Sequence, residues 1–68
     1  DTALMMASRG GRVDVVRVLI EKGADVDVQA SDGDTALMKA SREGRVDVVR
    51  VLVEKGANVN VLLDNGAT

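Results

Sequence analysis

Polar residues recur at spacings of three and four through VDVVRVLIEK, residues 13–22, where Asp14, Arg17 and Glu21 form one helical stripe. The other positions, Val13, Val15, Val16, Val18, Leu19 and Ile20, make a wide apolar arc that suits a helix with neighbours on both sides. Propensity alone would favour a strand, because the segment is rich in β-branched residues. Each valine, however, costs a helix only roughly a few tenths of a kcal/mol against the best helix formers. Packing readily overrides that amount, so the stripe predicts a helix from about Val13 to Lys22. Gly23 ends it, since glycine accepts the left-handed backbone that closes a helix.

Ahead of this helix, Thr2 is placed to cap a shorter one running through Arg9, with Ala3 and Ala7 four apart on a small-residue face. Gly10-Gly11 breaks it, and Gly11 can take positive φ. Beyond the second helix, residues 24–34 read ADVDVQASDGD. Val26 and Val28 alternate with polar residues and Asp32-Gly33 is a turn signal, so an extended, hairpin-like finger is expected to project here.

All of this happens twice. GRVDVVRVL stands at residues 11–19 and again at 44–52, and residues 1–33 align with 34–66 without a gap. The two copies differ at nine positions and agree at 24 of 33, with Glu43-Gly44 as the second helix break. The expected organisation is one repeat over residues 1–33, a second over 34–66, and the start of a truncated third at 67–68. A period of this size marks a solenoid made by stacking one supersecondary unit on itself. The fold class follows as mainly α, a solenoid of stacked helix-turn-helix units with hairpin-like finger loops.

The segment GDTALMKASREGRVDVVRVLVEKGANVN, residues 33–60, resembles an ankyrin repeat. The matching pattern is Gly-x-Thr-x-Leu-x-x-Ala, then Gly, Val-Val-x-x-Leu and Gly-Ala-Asn/Asp-Val-Asn/Asp, present in full in the second copy and from Thr2 onward in the first. The family's usual Thr-Pro-Leu-His is Thr2-Ala3-Leu4-Met5 and Thr35-Ala36-Leu37-Met38 here, and its His after Gly is Arg12 and Arg45. Losing that His removes a ring that usually hydrogen-bonds to the Thr side chain and the finger backbone. The resemblance implies right-angled units of helix, helix and finger sharing one continuous core. It also implies a non-enzymatic, intracellular scaffold that binds protein partners through the finger tips and the concave face of the first helices.

Composition narrows the chemistry. The chain is 46% hydrophobic and 29% charged, so it is globular, and its apolar residues are only Val, Leu, Ala, Met and Ile. Without Phe, Trp or Tyr the core must come from small, closely fitted side chains, as stacked helices allow. A net charge of −2 implies no general attraction to nucleic acid or to an anionic membrane, and stacking aromatics for nucleic acid are absent. The longest apolar run is five residues, Ala3 to Ala7, too short for a membrane span or signal peptide. There is no Cys for disulfide or thiol chemistry. With no His, Cys or Tyr, acid–base work would fall to carboxylates or Lys, and Ser8, Ser31 and Ser41 have no activating partner in sight. The glycines follow the repeat rather than a phosphate-loop spacing. Asp25, Asp27, Asp32 and Asp34 invite a calcium reading, but Ala30 stands where the EF-hand Gly belongs and Ala36 where its bidentate Glu belongs. No catalytic, cofactor or metal site is expected.

Partner contacts are expected where the copies differ. The differing pairs are Met6/Lys39, Gly10/Glu43, Ile20/Val53, Asp25/Asn58, Asp27/Asn60, Gln29/Leu62, Ala30/Leu63, Ser31/Asp64 and Asp32/Asn65. Ile20/Val53 is a conservative core exchange, and six pairs fall on the finger or on the side of the first helix read as exposed. The candidate contact set is Met6, Arg9, Gly10, Gln29, Ala30, Ser31, Asp32, Asp34, Lys39, Arg42, Glu43, Leu62, Leu63, Asp64 and Asn65. Variation there fits a fixed scaffold with a variable surface, and equally fits free drift of solvent-facing positions. Leu62 and Leu63 read either as a hot spot for a partner or, the favoured reading, as cover for the end of the stack. Arg9, Lys39 and Arg42 read either as a basic stripe along the concave face or, as favoured by Glu43 and the finger aspartates, as a solvated, salt-bridged face.

The chain begins at Asp1 rather than Met, as expected of a processed, excised or engineered piece. Neither end carries a polar capping unit, which arrays of this kind usually need. Leu4, Val15, Val16 and Leu19 at one end, and Leu37, Val48, Val49 and Leu52 at the other, are expected to be exposed in a monomer. Three readings follow: a piece of a longer protein-binding array, an engineered near-consensus scaffold with no natural partner, or a unit that self-associates head to tail into an open solenoid.

Overall fold

Two helix pairs account for most of the chain. The computed structural model describes residues 2–64, with side chains described through Leu62. Helices α1 (Ala3–Arg9) and α2 (Val13–Glu21) form the first pair, α3 (Ala36–Arg42) and α4 (Val46–Glu54) the second, and a short α5 spans Asn60–Asp64. The β-branched run is helical in both copies, ending one residue before Lys22. Each helix packs on its own partner and on its equivalent in the other pair, α1 on α3 and α2 on α4. One core runs through both units, built from Leu4, Met5, Ala7 and Val16 with Ala36, Leu37, Ala40, Val48, Val51, Leu52 and Ala57.

The helix ends are set locally. Thr2 and Thr35 accept the backbone N–H groups of Met5 and Met38 at 3.1 and 3.3 Å, so both short helices are capped by a side chain. Arg12 and Arg45 precede α2 and α4 without a side-chain cap, but Asp14 and Asp47 in the first turns oppose the helix dipole favourably. Helices α1 to α4 close in the same way, by crossed hydrogen bonds around a glycine. After α1 the Arg12 N–H reaches the Ala7 carbonyl at 3.0 Å and the Gly11 N–H reaches Ser8 at 3.2 Å; after α3 Arg45 and Gly44 repeat this with Ala40 and Ser41. Gly11 and Gly44 have φ of 73° and 72°, a region where a side chain would be strained, which is why the breaks between helices hold glycine.

The finger after α2 is hairpin-like only at its tip. Gly33 donates to the Ala30 carbonyl and Ala30 to the Asp34 carbonyl, both at 2.8 Å, with Gly33 at φ 86°. That is a three-residue loop of turn-plus-left-handed-glycine type. No ladder extends from it among the described residues, because nearby N–H groups are taken by aspartate side chains. Asp25 accepts from Asp27 at 2.9 Å and Asp32 from Asp34 at 3.0 Å.

Two expectations need correction. The second copy's counterpart of the finger forms α5 instead of an extended arm, with Val61 and Leu62 packed against the core. Leu62 replaces Gln29, so burial of apolar surface competes there with an extended conformation. The end faces also differ from those expected. Leu4, Val16, Leu37, Val48 and Leu52 are buried, Leu19 and Val49 are half-buried, and of that set Val15 alone is exposed. Within each unit most of those side chains point into the shared core. The large apolar side chains left open are Met6, Val15 and Val18 on one side, Val46, Val53 and Val59 on the other, and Val28 on the finger.

Candidate functional site

Four of the candidate contact residues meet at one place, and two of them lie inside the protein. Lys39 occupies on α3 the position that Met6 has on α1. Its side chain is only 6% exposed, yet its ammonium group sits 3.4 Å from the Asp32 carboxylate and 3.9 Å from that of Asp34. Arg42, one helical turn further along α3, donates to the Asp34 carboxylate. A buried lysine is tolerable when carboxylates face its charged end and its stem packs on apolar surface. Expected on the contact surface, Lys39 and Asp34 are therefore buried structural residues. Lys39 and Arg42 do form salt bridges, but Lys39 is buried rather than solvated as expected.

The electrostatics agree with the geometry. The Asp32 carboxyl is held below its usual range chiefly by the Asp34 N–H; partial desolvation opposes this and the Lys39 charge adds to it. Hydrogen bonding to Asp34, then its charge, raises the Arg42 guanidinium above its ordinary value. The finger of the first unit is thus clamped by the first helix of the second.

What remains accessible is a polar rim. Gln29, Ser31 and Asp32 are exposed at the finger tip, and the Gln29 amide donates to the Gly33 carbonyl at 3.1 Å. Arg42 and Glu43 are exposed at the end of α3, and Met6, Arg9 and Gly10 on or just after α1. Ala30 is half-buried against the core, as is Leu62. The side chains of Leu63 and Asp64, and all of Asn65, lie outside the described residues. Among the described residues no group of three His, Cys, Asp or Glu is placed to hold a metal ion, and no helix is long and apolar enough to cross a membrane.

Sequence reasoning missed two contacts between the units. The Arg45 Nε–H donates to the Arg9 carbonyl at 3.0 Å, across 36 residues of sequence. Asp27 accepts the Asn58 N–H at 2.9 Å, joining the finger base to the loop after α4. The signal for the first lay in Arg12 and Arg45, each following a helix-breaking Gly where the related family carries His. The Asp/Asn exchanges in the loops pointed to the second, since both residues accept hydrogen bonds.

Comparison with known proteins supports the same architecture. The family model for ankyrin repeats (3 copies) matches residues 1–62. No curated protein matches the chain in sequence. Among solved structures, the human ASB11 ankyrin repeat domain is similar at 30% identity and a TM-score of 0.85, over 88% of this chain. The chain spans 27% of that domain's length. With its paired helices, glycine-closed ends and clamped finger, the chain belongs to the ankyrin repeat family.

Proposed function

We propose that the chain is a non-enzymatic scaffold that binds a protein partner through the finger tip and the concave face of the first helices. Ankyrin repeats are generally protein–protein interaction modules. The repeats in this reading cover residues 1–33 and 34–66, with 67–68 opening a third. One observation carries the proposal: the Lys39–Asp32–Asp34–Arg42 clamp holds the finger while leaving Gln29, Ser31 and Asp32 exposed beside Arg42 and Glu43. A pre-ordered polar rim loses little entropy on binding. Met6, Arg9 and Gly10 extend the same candidate surface, whereas Asp34 and Lys39 contribute by supporting it.

The test is affinity capture with three baits: the parent chain, Gln29→Ala/Ser31→Ala at the finger, and Arg17→Ala on α2. A protein retained by the parent and the α2 variant but lost from the finger variant supports the proposal. Equal retention by all three sinks it.

A second reading is favoured by the 24 of 33 positions shared between the copies. It makes the chain a near-consensus scaffold piece without a natural partner that associates with itself head to tail.

A further inference from the structure

The interface between the two units is asymmetric, and both of its halves recur on the outside of the same chain. In the interior, Val48 and Val51 of α4 are buried against the first unit, Val48 completely. Their sequence equivalents on α2, Val15 and Val18, are exposed, Val15 by 47%. Met6, the equivalent of buried Lys39, is exposed with them. The opposite half behaves in the opposite sense. Val13, Ile20 and Val26 are half-buried and packed on the core, while their equivalents Val46, Val53 and Val59 are exposed, Val46 by 62%. The polar contact follows the same rule. Arg45 lies over Gly11, with its Cδ 3.0 Å from where a Cβ would stand, whereas nothing stands within 4 Å of that position at Gly44. Arg12, the equivalent of Arg45, is exposed beside a shallow depression of about 410 Å³ that it lines with Gly11, Val13, Asp14 and Val15.

We infer that the Met6–Val15–Val18 face docks the Val46–Val53–Val59 face of a second copy of this chain, with Arg12 donating its Nε–H to the Arg42 carbonyl over Gly44. The inference rests on the head-to-tail reading and specifies its contact. A second copy is the occupant because the complementary surface is already displayed, with the same glycine geometry and the same arginine that make the internal interface. The contact is heterologous, so each docked copy leaves one face of each kind open and growth continues. It also lacks the Lys39 ion pairs, since Met6 replaces Lys39. The contact between copies joins separate chains, so its formation carries the entropy cost of association and assembly depends on concentration.

The experiment is sedimentation of the full chain across a concentration series, with helicity checked by circular dichroism, for the parent and for Val15→Glu, Val53→Glu and Arg12→Ala. The parent is expected to grow in mass with concentration. Each glutamate variant alone is expected to stop at one chain, while a mixture of the two stops at two, because one intact face of each kind remains. Arg12→Ala is expected to weaken association roughly tenfold. A parent that stays at one chain up to millimolar concentration overturns the head-to-tail reading itself. Growth of the parent with no change in Arg12→Ala overturns the arginine contact alone. A mixture that does not pair, although the parent grows, overturns the assigned faces.

Discussion

The Nε–H of Arg45 lies 3.0 Å from the carbonyl oxygen of Arg9, at the C-terminal end of α1 in the preceding unit. The last carbonyls of a helix have no partner within the helix, and that end is electronegative. A guanidinium placed there supplies both a donor and a positive charge. The same side chain crosses Gly11, so one arginine ties a helix end of one unit to the entry of the next.

Loss of this contact has a measurable signature. Arg45→Ala is expected to destabilise the chain by about 1 kcal/mol, the worth of a charge-assisted hydrogen bond near the surface. Gly11→Ala is expected to cost more than Gly44→Ala, because both need φ near 70° but only Gly11 also has Arg45 against it. In the Arg45→Ala background the two glycine substitutions become equal. Urea denaturation of the six chains provides the cycle, and additivity across it would count against the crowding.

Lys39 poses a different question, because buried ion pairs offset desolvation without adding much. Lys39→Met installs the residue that the first copy carries at this place, and stability is expected to change by less than about 1 kcal/mol. Asp34→Ala keeps the buried ammonium and removes a carboxylate that faces it, together with a partner of Arg42. Its expected cost is at least about 2 kcal/mol. Thermal midpoints of the two variants decide this, and a larger loss for Lys39→Met would refute it.

Acid should act partly through Asp32. Its carboxyl titrates lower when folded than when unfolded. Its contribution to stability is therefore complete above the unfolded value of about 3.9 and disappears as pH falls through the lower folded value. Asp32→Asn keeps an acceptor for the Asp34 N–H and removes the titrating charge beside Lys39. The variant is expected to lose less stability than the parent between about pH 5 and about pH 3. Parallel pH profiles would disprove the assignment.

Ser8 is fully buried on α1, and its hydroxyl oxygen has no hydrogen-bond partner among the described residues. Leaving such a group unmade costs about 1 kcal/mol or more. Ser8→Ala is therefore expected to stabilise by about 1 kcal/mol, raising the melting temperature by about 4–8 °C in a domain of this size. Ser41, its equivalent in the second unit, is half-buried, and Ser41→Ala should be close to neutral. A melting temperature unchanged or lowered by Ser8→Ala would mean the hydroxyl is satisfied in solution.

The helices and their ends were legible along the chain because their causes are local. Thr2 and Thr35 cap through their own side chains, Asp14, Arg17 and Glu21 mark one stripe, and Gly11, Gly23 and Gly44 close helices with their own backbones. The candidate surface was less legible. Lys39 resembles a solvated surface lysine in the sequence, and only the approach of Asp32 and Asp34 from the preceding finger makes it a buried one. Leu62 carried its own signal, since a leucine in place of Gln29 has reason to leave solvent.

The sequence by itself determined the repeat, the order of helices and the positions where the chain must turn, because each depends on residues within one helical turn of one another. The tertiary structure decided which valines are core. Val15 and Val48 are the same residue in the same local sequence, yet one is exposed and the other fully buried. Their difference comes entirely from whether another unit lies against that face. Burial is a property of the neighbour across the interface, and no local pattern within the repeat encodes it.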